Sequence, residues 1–125
     1  MQKDNSHSAV DLPPLPILLA PAGSPDALAA ACAGGADAVY LGGKQFGARQ
    51  FAANFSDEEL VQAVRYAHLR VVLVYVTVNT LVAEREMKDA LRYLLFLSSI
   101  GVDAVLIQDT GLLSCAKNYI PDLVL

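Results

Sequence analysis

Lys44, Arg49, Asn79 and Gln108 are the side chains of this 125-residue sequence best suited to binding chemistry: two cations and two amides, each following an apolar run. Groups of these types hold a carboxylate or a phosphate in place. Ser24, Tyr40, Asn54, Thr77, Thr80 and Asp109 stand near them in the same pattern, and Asp109 is the one carboxylate at the end of an apolar run. Each also has a plainer role. Asp109 or Thr110 suits a helix N-cap, as does Ser24, while Asn79 suits the turn that ends its run, and Lys44 and Arg49 suit a solvated loop. Nucleophilic chemistry finds no support, because no Ser/His/Asp, Cys/His or HExxH arrangement occurs, and the catalytic residues stay unassigned. Gly42–Gly47 is no phosphate loop, since Ala48-Arg49 stands where Lys-Ser/Thr is needed. His68 falls late in a helical stretch, away from these groups, and reads as a surface or packing residue. Cys32 and Cys115 share no metal-ligand spacing and read as core thiols of a reducing compartment.

Polar groups converge in this way at the carboxyl ends of parallel strands. The apolar runs predict four strands, at Ile17–Ala20, Asp37–Leu41, Val71–Asn79 and Asp103–Ile107. Ser24-Pro25 opens a helix that Gly34-Gly35 ends. Ser56-Asp-Glu-Glu59 is a capping box opening a second, with Leu60, Val64 and Ala67 inward. A third runs from about Ala83 to Ser99 with Met87, Ala90, Leu91, Leu94 and Leu95 at helical spacing, and Gly101 stops it. A shorter helix follows Gln108-Asp109-Thr110 to about Asn118, and Leu123-Val124-Leu125 reads as the start of a fifth strand. In the third strand Val72, Val74, Val76 and Val78 face the helices, while Leu73, Tyr75, Thr77 and Asn79 face the other way. The connection from Gly42 to Phe55 is long for a strand-to-helix loop, which marks it as functional.

Residues 34–43, Gly-Gly-Ala-Asp-Ala-Val-Tyr-Leu-Gly-Gly, return in weakened form at 100–109 as Ile-Gly-Val-Asp-Ala-Val-Leu-Ile-Gln-Asp. With a strand of the same kind between them, the predicted fold class is α/β: parallel (β/α) units forming the first half of a TIM-like barrel, truncated, since a whole barrel takes about 250 residues. Residues 1–16, with Pro13, Pro14 and Pro16 and no signal-peptide core, are expected to be a flexible leader, and 17–125 the half-barrel. Hydrophobic residues make up 54% and charged residues 18%, enough apolar material for a covered sheet. A net charge of −4 excludes recruitment of nucleic acid by a global positive field. No apolar run approaches the ~18 residues of a membrane span, so a protein not integral to a membrane is expected, and the two unpaired cysteines make the reducing cytoplasm the simplest compartment.

Five segments in order, Leu19-Ala-Pro-Ala-Gly-Ser24, Gly35-Ala-Asp-Ala-Val-Tyr-Leu-Gly42, Phe46-Gly-Ala-Arg49 with Ala53-Asn-Phe55, Tyr75-Val-Thr-Val-Asn-Thr-Leu81 and Gly101-Val-Asp-Ala-Val-Leu-Ile-Gln-Asp109, resemble the N-terminal part of the peptidase U32 family. The resemblance implies a barrel-like N-terminal domain whose parent is either an oxygen-independent iron–sulfur hydroxylase, acting on tRNA, rRNA or a quinone precursor, or a collagenase-like peptidase. It implies no cofactor within this chain, and a 4Fe-4S cluster held by cysteines beyond residue 125. Lys44, Arg49, Asn79 and Gln108 then position substrate. The expected partners are the remainder of the barrel or a second copy, with tRNA or rRNA bound through the full-length protein. A non-catalytic half-barrel assembly module is the reading from another class. One departure stands out: Leu69-Arg70-Val71-Val72-Leu73 lacks the glycine the family has between helix and strand, which predicts a turn that is either strained or differently placed.

Overall fold

Each helix returns the chain to the same end of the sheet, so successive strands pair in parallel. The computed structural model describes residues 16–48 and 54–125; the leader as far as residue 15 and Arg49 lie outside them. Strands β1 (Leu19–Pro21), β2 (Ala38–Gly42), β3 (Leu73–Val78) and β4 (Ala104–Ile107) form one parallel sheet in chain order. Helices α1 (Pro25–Ala33), α2 (Asp57–Leu69), α3 (Met87–Ser99) and α4 (Thr110–Tyr119) alternate with them, and a 3-10 turn at Glu84–Glu86 leads into α3. This is the expected α/β architecture. Past α4, the Val105 amide donates to the Val124 carbonyl at 2.9 Å, so the final triplet lies along the free edge of β4 without forming a strand of its own.

The core lies between the sheet and the helices. Val74, Val76 and Val78 have no exposed surface, and Leu60, Ala67, Leu94, Leu97 and Leu112 meet them from the helix side. In α3 the buried stripe is Ala90, Tyr93, Leu94 and Leu97, whereas Leu95, expected inward, is 53% exposed. At about 100° per residue, Leu95 falls off a stripe centred on Leu94 and Leu97. The opposite sheet face is uncovered: Leu19, Tyr40, Leu73 and Leu106 are each 38–45% exposed.

Three helix ends close by one mechanism, and it accounts for the sequence repeat. The amides of Gly35 and Ala36 bond the carbonyls of Cys32 and Ala31, those of Val71 and Val72 bond His68 and Ala67, and those of Gly101 and Val102 bond Ser98 and Leu97. This is the Schellman arrangement, whose first residue past the cap must adopt the left-handed conformation. Gly35 (φ 88°) and Gly101 (φ 89°) do so freely; Val71 does so at φ 59° with a branched Cβ. The turn that lacks its glycine is therefore the strained one. Missing the amino ends of the predicted strands follows from the same closures, since Val71 and Val72 belong to the turn. The Asp of each repeat copy then fastens the preceding strand: Leu18 N–H donates to Asp37 Oδ2 at 2.8 Å and Val74 N–H to Asp103 Oδ2 at 2.7 Å.

Candidate functional site

The carboxyl end of the sheet is organised by the β2–α2 loop. Phe55 N–H donates to the Gly42 carbonyl at 3.1 Å and Gly43 bridges to Phe55, which closes the loop at its base. Two residues following β3 hold its first limb. Ala48 N–H donates to Asn79 Oδ1 at 2.8 Å, and Thr80 Oγ1 donates to the Phe46 carbonyl at 3.1 Å. Phe46 itself takes a left-handed φ of 54°, and its ring lies 6.0 Å from that of Tyr93 on α3. Gly43 sits against the Tyr93 hydroxyl so closely that no Cβ fits there. Tyr93 is 4% exposed, its hydroxyl finds no hydrogen-bond partner among the described residues, and burial, with the Asp57 charge, pushes its ionisation well above the ordinary value of 10. Tyr93 is thus a packing post under the loop rather than an acid or base at neutral pH.

A cleft of 340 Å³ opens between this loop and the ends of β1, β2 and β3. Its polar groups are Tyr40, Asn54, Thr77 and Asn79; small residues, Ala22, Gly42, Gly47 and Ala48 among them, make up much of the remaining lining. Gly42 creates the space, because a Cβ there would come within 3.2 Å of Thr77 Oγ1 and 3.5 Å of Asn54 Oδ1. In the sheet below, Tyr40 pairs in register with Pro21 on one side and Tyr75 on the other. The floor is consequently aromatic and apolar while the upper walls carry amides and hydroxyls. Such a mixture suits a planar, polar-edged organic group.

Of the four residues expected to position substrate, Asn79 lines the cleft, with its carbonyl oxygen already committed to the loop. Lys44 is exposed on the loop outside the cleft lining, and its charge contributes to holding Glu59 below the usual carboxylate range, after the dominant hydrogen bonds from Ser56. Gln108 is exposed one residue past Ile107, also outside the lining. Arg49 lies outside the described residues. Asp109 is the helix cap: Leu112 N–H donates to Oδ1 at 2.8 Å and Val82 N–H to Oδ2 at 3.0 Å, and these two bonds, Val82's first, lower its pKa. The capping residues Ser24 and Ser56 do what their spacing predicts. Tyr93 was not among the residues singled out by sequence, whereas Thr80 stood in the strand-end pattern without its bond to the Phe46 carbonyl being foreseen. Tyr93 shares the helical spacing of Ala90, Leu94 and Leu97, which is the signal that could have found it.

A second groove, of 560 Å³, runs between α2 and α3 and includes His68. His68 Nε2 pairs with Asp103 Oδ2 at 2.7 Å at the amino end of the sheet, opposite the cleft, so it is a structural residue. Among the described residues no three His, Cys, Asp or Glu gather as metal ligands, and Cys32 on α1 and Cys115 on α4 are separate, half-buried thiols. A cluster does not fit these residues by themselves. Among the described residues no helix is long and apolar enough to cross a membrane.

Comparison with known proteins places these features among relatives. The family model described as peptidase family U32 matches residues 23–125. An uncharacterized protease of Methanocaldococcus jannaschii is 41% identical over 100 residues, covering 80% of this chain and 25% of that protein. The 23S rRNA 5-hydroxycytidine C2501 synthase of Escherichia coli is 43% identical over 79 residues, 63% of this chain and 12% of that protein. The tRNA hydroxylation protein P1 of Bacillus subtilis is 33% identical over 108 residues, 86% of this chain and 26% of that protein. The solved structure of a U32 peptidase superposes with a TM-score of 0.69 at 19% identity, covering 87% of this chain and 47% of that one, a likeness of fold. The chain thus spans about a quarter or less of these curated relatives and about half of the solved structure.

Proposed function

The chain belongs to peptidase family U32, and from that premise we propose that it is the front half of the barrel of a cytoplasmic enzyme that hydroxylates a pyrimidine in RNA. The observation that carries the reading is the cleft at the carboxyl ends of β1 to β3, where Tyr40, Asn54, Thr77 and Asn79 surround space left by Gly42. Relatives named for tRNA hydroxylation and for 5-hydroxycytidine synthesis in rRNA support RNA as the substrate. Within this half of the site the chain binds and orients. Asn79 and Thr80 hold the β2–α2 loop at the rim, with Lys44 exposed on it, and Gln108 is exposed past β4; in this reading Lys44, Gln108 and, from sequence alone, Arg49 meet the phosphate backbone. An iron–sulfur cluster, if bound, would supply electron transfer; this reading assigns its ligands to cysteines beyond residue 125 and none of this chain's residues to it.

The peptidase reading has less support from this stretch, because His68 is engaged by Asp103 at the far end of the sheet and Asp109 by two backbone amides. Disrupting the gene and digesting total tRNA and rRNA to nucleosides tests the proposal. A hydroxylated pyrimidine present in the parent strain and missing in the mutant is the expected outcome. Unchanged nucleosides together with a loss of peptide hydrolysis would instead establish the peptidase.

A further inference from the structure

We infer that the cleft above Tyr40 is the slot that receives the unpaired pyrimidine base itself, and that Gly42 and Tyr40 shape it; this rests on the RNA reading and specifies where the base goes. Its shape is the first support. Two residues past Tyr40 on the same face of β2 stands a glycine, and the missing Cβ leaves a gap bounded by Thr77 Oγ1 and Asn54 Oδ1. At 340 Å³ the cleft falls within the ~300–1,000 Å³ of small-ligand sites, room for a base with its ribose and too little for a folded helix of RNA.

Chemistry is the second support. Tyr40 is 38% exposed and flanked in register by Pro21 and Tyr75, so the floor offers an apolar, aromatic surface to a ring, the surface on which unstacked bases settle. The edge of a pyrimidine presents both acceptors and a donor. Thr77 answers with a hydroxyl whose contact to the Leu41 carbonyl is long, 3.4 Å, and Asn79 with an amide nitrogen bearing two protons beside the oxygen already used by Ala48. Preorganisation is the third support. The wall formed by Gly47 and Ala48 is fixed by the bonds from Asn79 and Thr80, so the slot exists before a base enters.

Photocrosslinking tests the assignment in the full-length protein, using an RNA hairpin with a single 4-thiouridine in its loop, while filter binding of the same hairpin reports overall affinity. The expected adduct maps to the peptide containing Tyr40 and Gly42. Gly42→Val should lower its yield at least tenfold, and Tyr40→Phe should retain it where Tyr40→Ser loses it. Gly42→Ala, a milder filling, should give an intermediate yield, and a thermal midpoint for each variant verifies folding. Adducts confined to other segments, or a Gly42→Val variant that folds and crosslinks like the parent, would overturn the slot and leave the RNA reading standing. Absence of hairpin binding by the full-length parent would overturn both.

Discussion

At the scale of the residue, Val71 and Gly43 show how one atom decides local energy. Val71 occupies the left-handed conformation that Gly35 and Gly101 occupy in the equivalent turns, and 90% of its surface is exposed. Left-handed backbone costs an L-residue about 1–2 kcal/mol, whereas introducing glycine loosens the unfolded chain by about 0.4–1 kcal/mol. The first effect wins, so Val71→Gly should stabilise the chain by about 0.5–1 kcal/mol, read from urea denaturation midpoints. Destabilisation would mean that the exposed valine makes an apolar contact worth more than the strain. Gly43 poses the opposite problem, since its missing Cβ admits the Tyr93 hydroxyl. Overpacking costs typically about 1–3 kcal/mol, and Gly43→Ala should lose an amount in that range. Tyr93→Phe removes a buried hydroxyl that has no partner among the described residues and should be neutral or stabilising. Combining the two should recover at least about 1 kcal/mol of the Gly43→Ala loss; simple additivity would refute the contact.

At the scale of the element, caps set both helix boundaries and pH dependence. Ser56 and Glu59 satisfy each other's amides at the start of α2, and Asp109 serves Leu112 and Val82 at the start of α4. Both carboxylates have folded pKa values below their ordinary 4.5 and 3.8, through those hydrogen bonds. A depressed folded pKa contributes stability that is complete above the unfolded value and disappears as pH falls through the folded one. Stability should therefore decline below about pH 4.5, and Asp109→Asn should flatten that acid decline while lowering stability at neutral pH. Unfolding curves collected from about pH 6 to about pH 2.5 decide it, and an acid limb unchanged in the variant would remove Asp109 from the account. The elements were largely legible beforehand: Ser24-Pro25, the Ser56–Glu59 box and Gly101 are local signals, read from residues within a single turn. Leu95 misled because a helix with apolar residues at Leu91, Leu94, Leu95 and Leu97 has more apolar positions than its core face can bury.

For the whole molecule, the balance of the two sheet faces matters most. One face is sealed by helices, and the other leaves Leu19, Tyr40, Leu73 and Leu106 partly exposed, as in a sheet whose companion strands are contributed from outside these residues. The isolated chain should associate with rising concentration in sedimentation velocity, and Leu73→Thr with Leu106→Thr should weaken that association without moving helix content. A monomer at every concentration that unfolds cooperatively would show that four strands suffice. By itself, the sequence determined the α/β order, the caps, the strained turn and the family resemblance, because each depends on spacing within a segment and on the conformations that Gly, Pro, Ser and Asp favour or refuse. Only the tertiary structure decided what Asn79, Thr80 and Tyr93 do. Their partners, Ala48, Phe46 and Gly43, lie more than thirty residues away in the chain, and no local preference encodes a contact that arises when parallel strands bring two loops to the same rim.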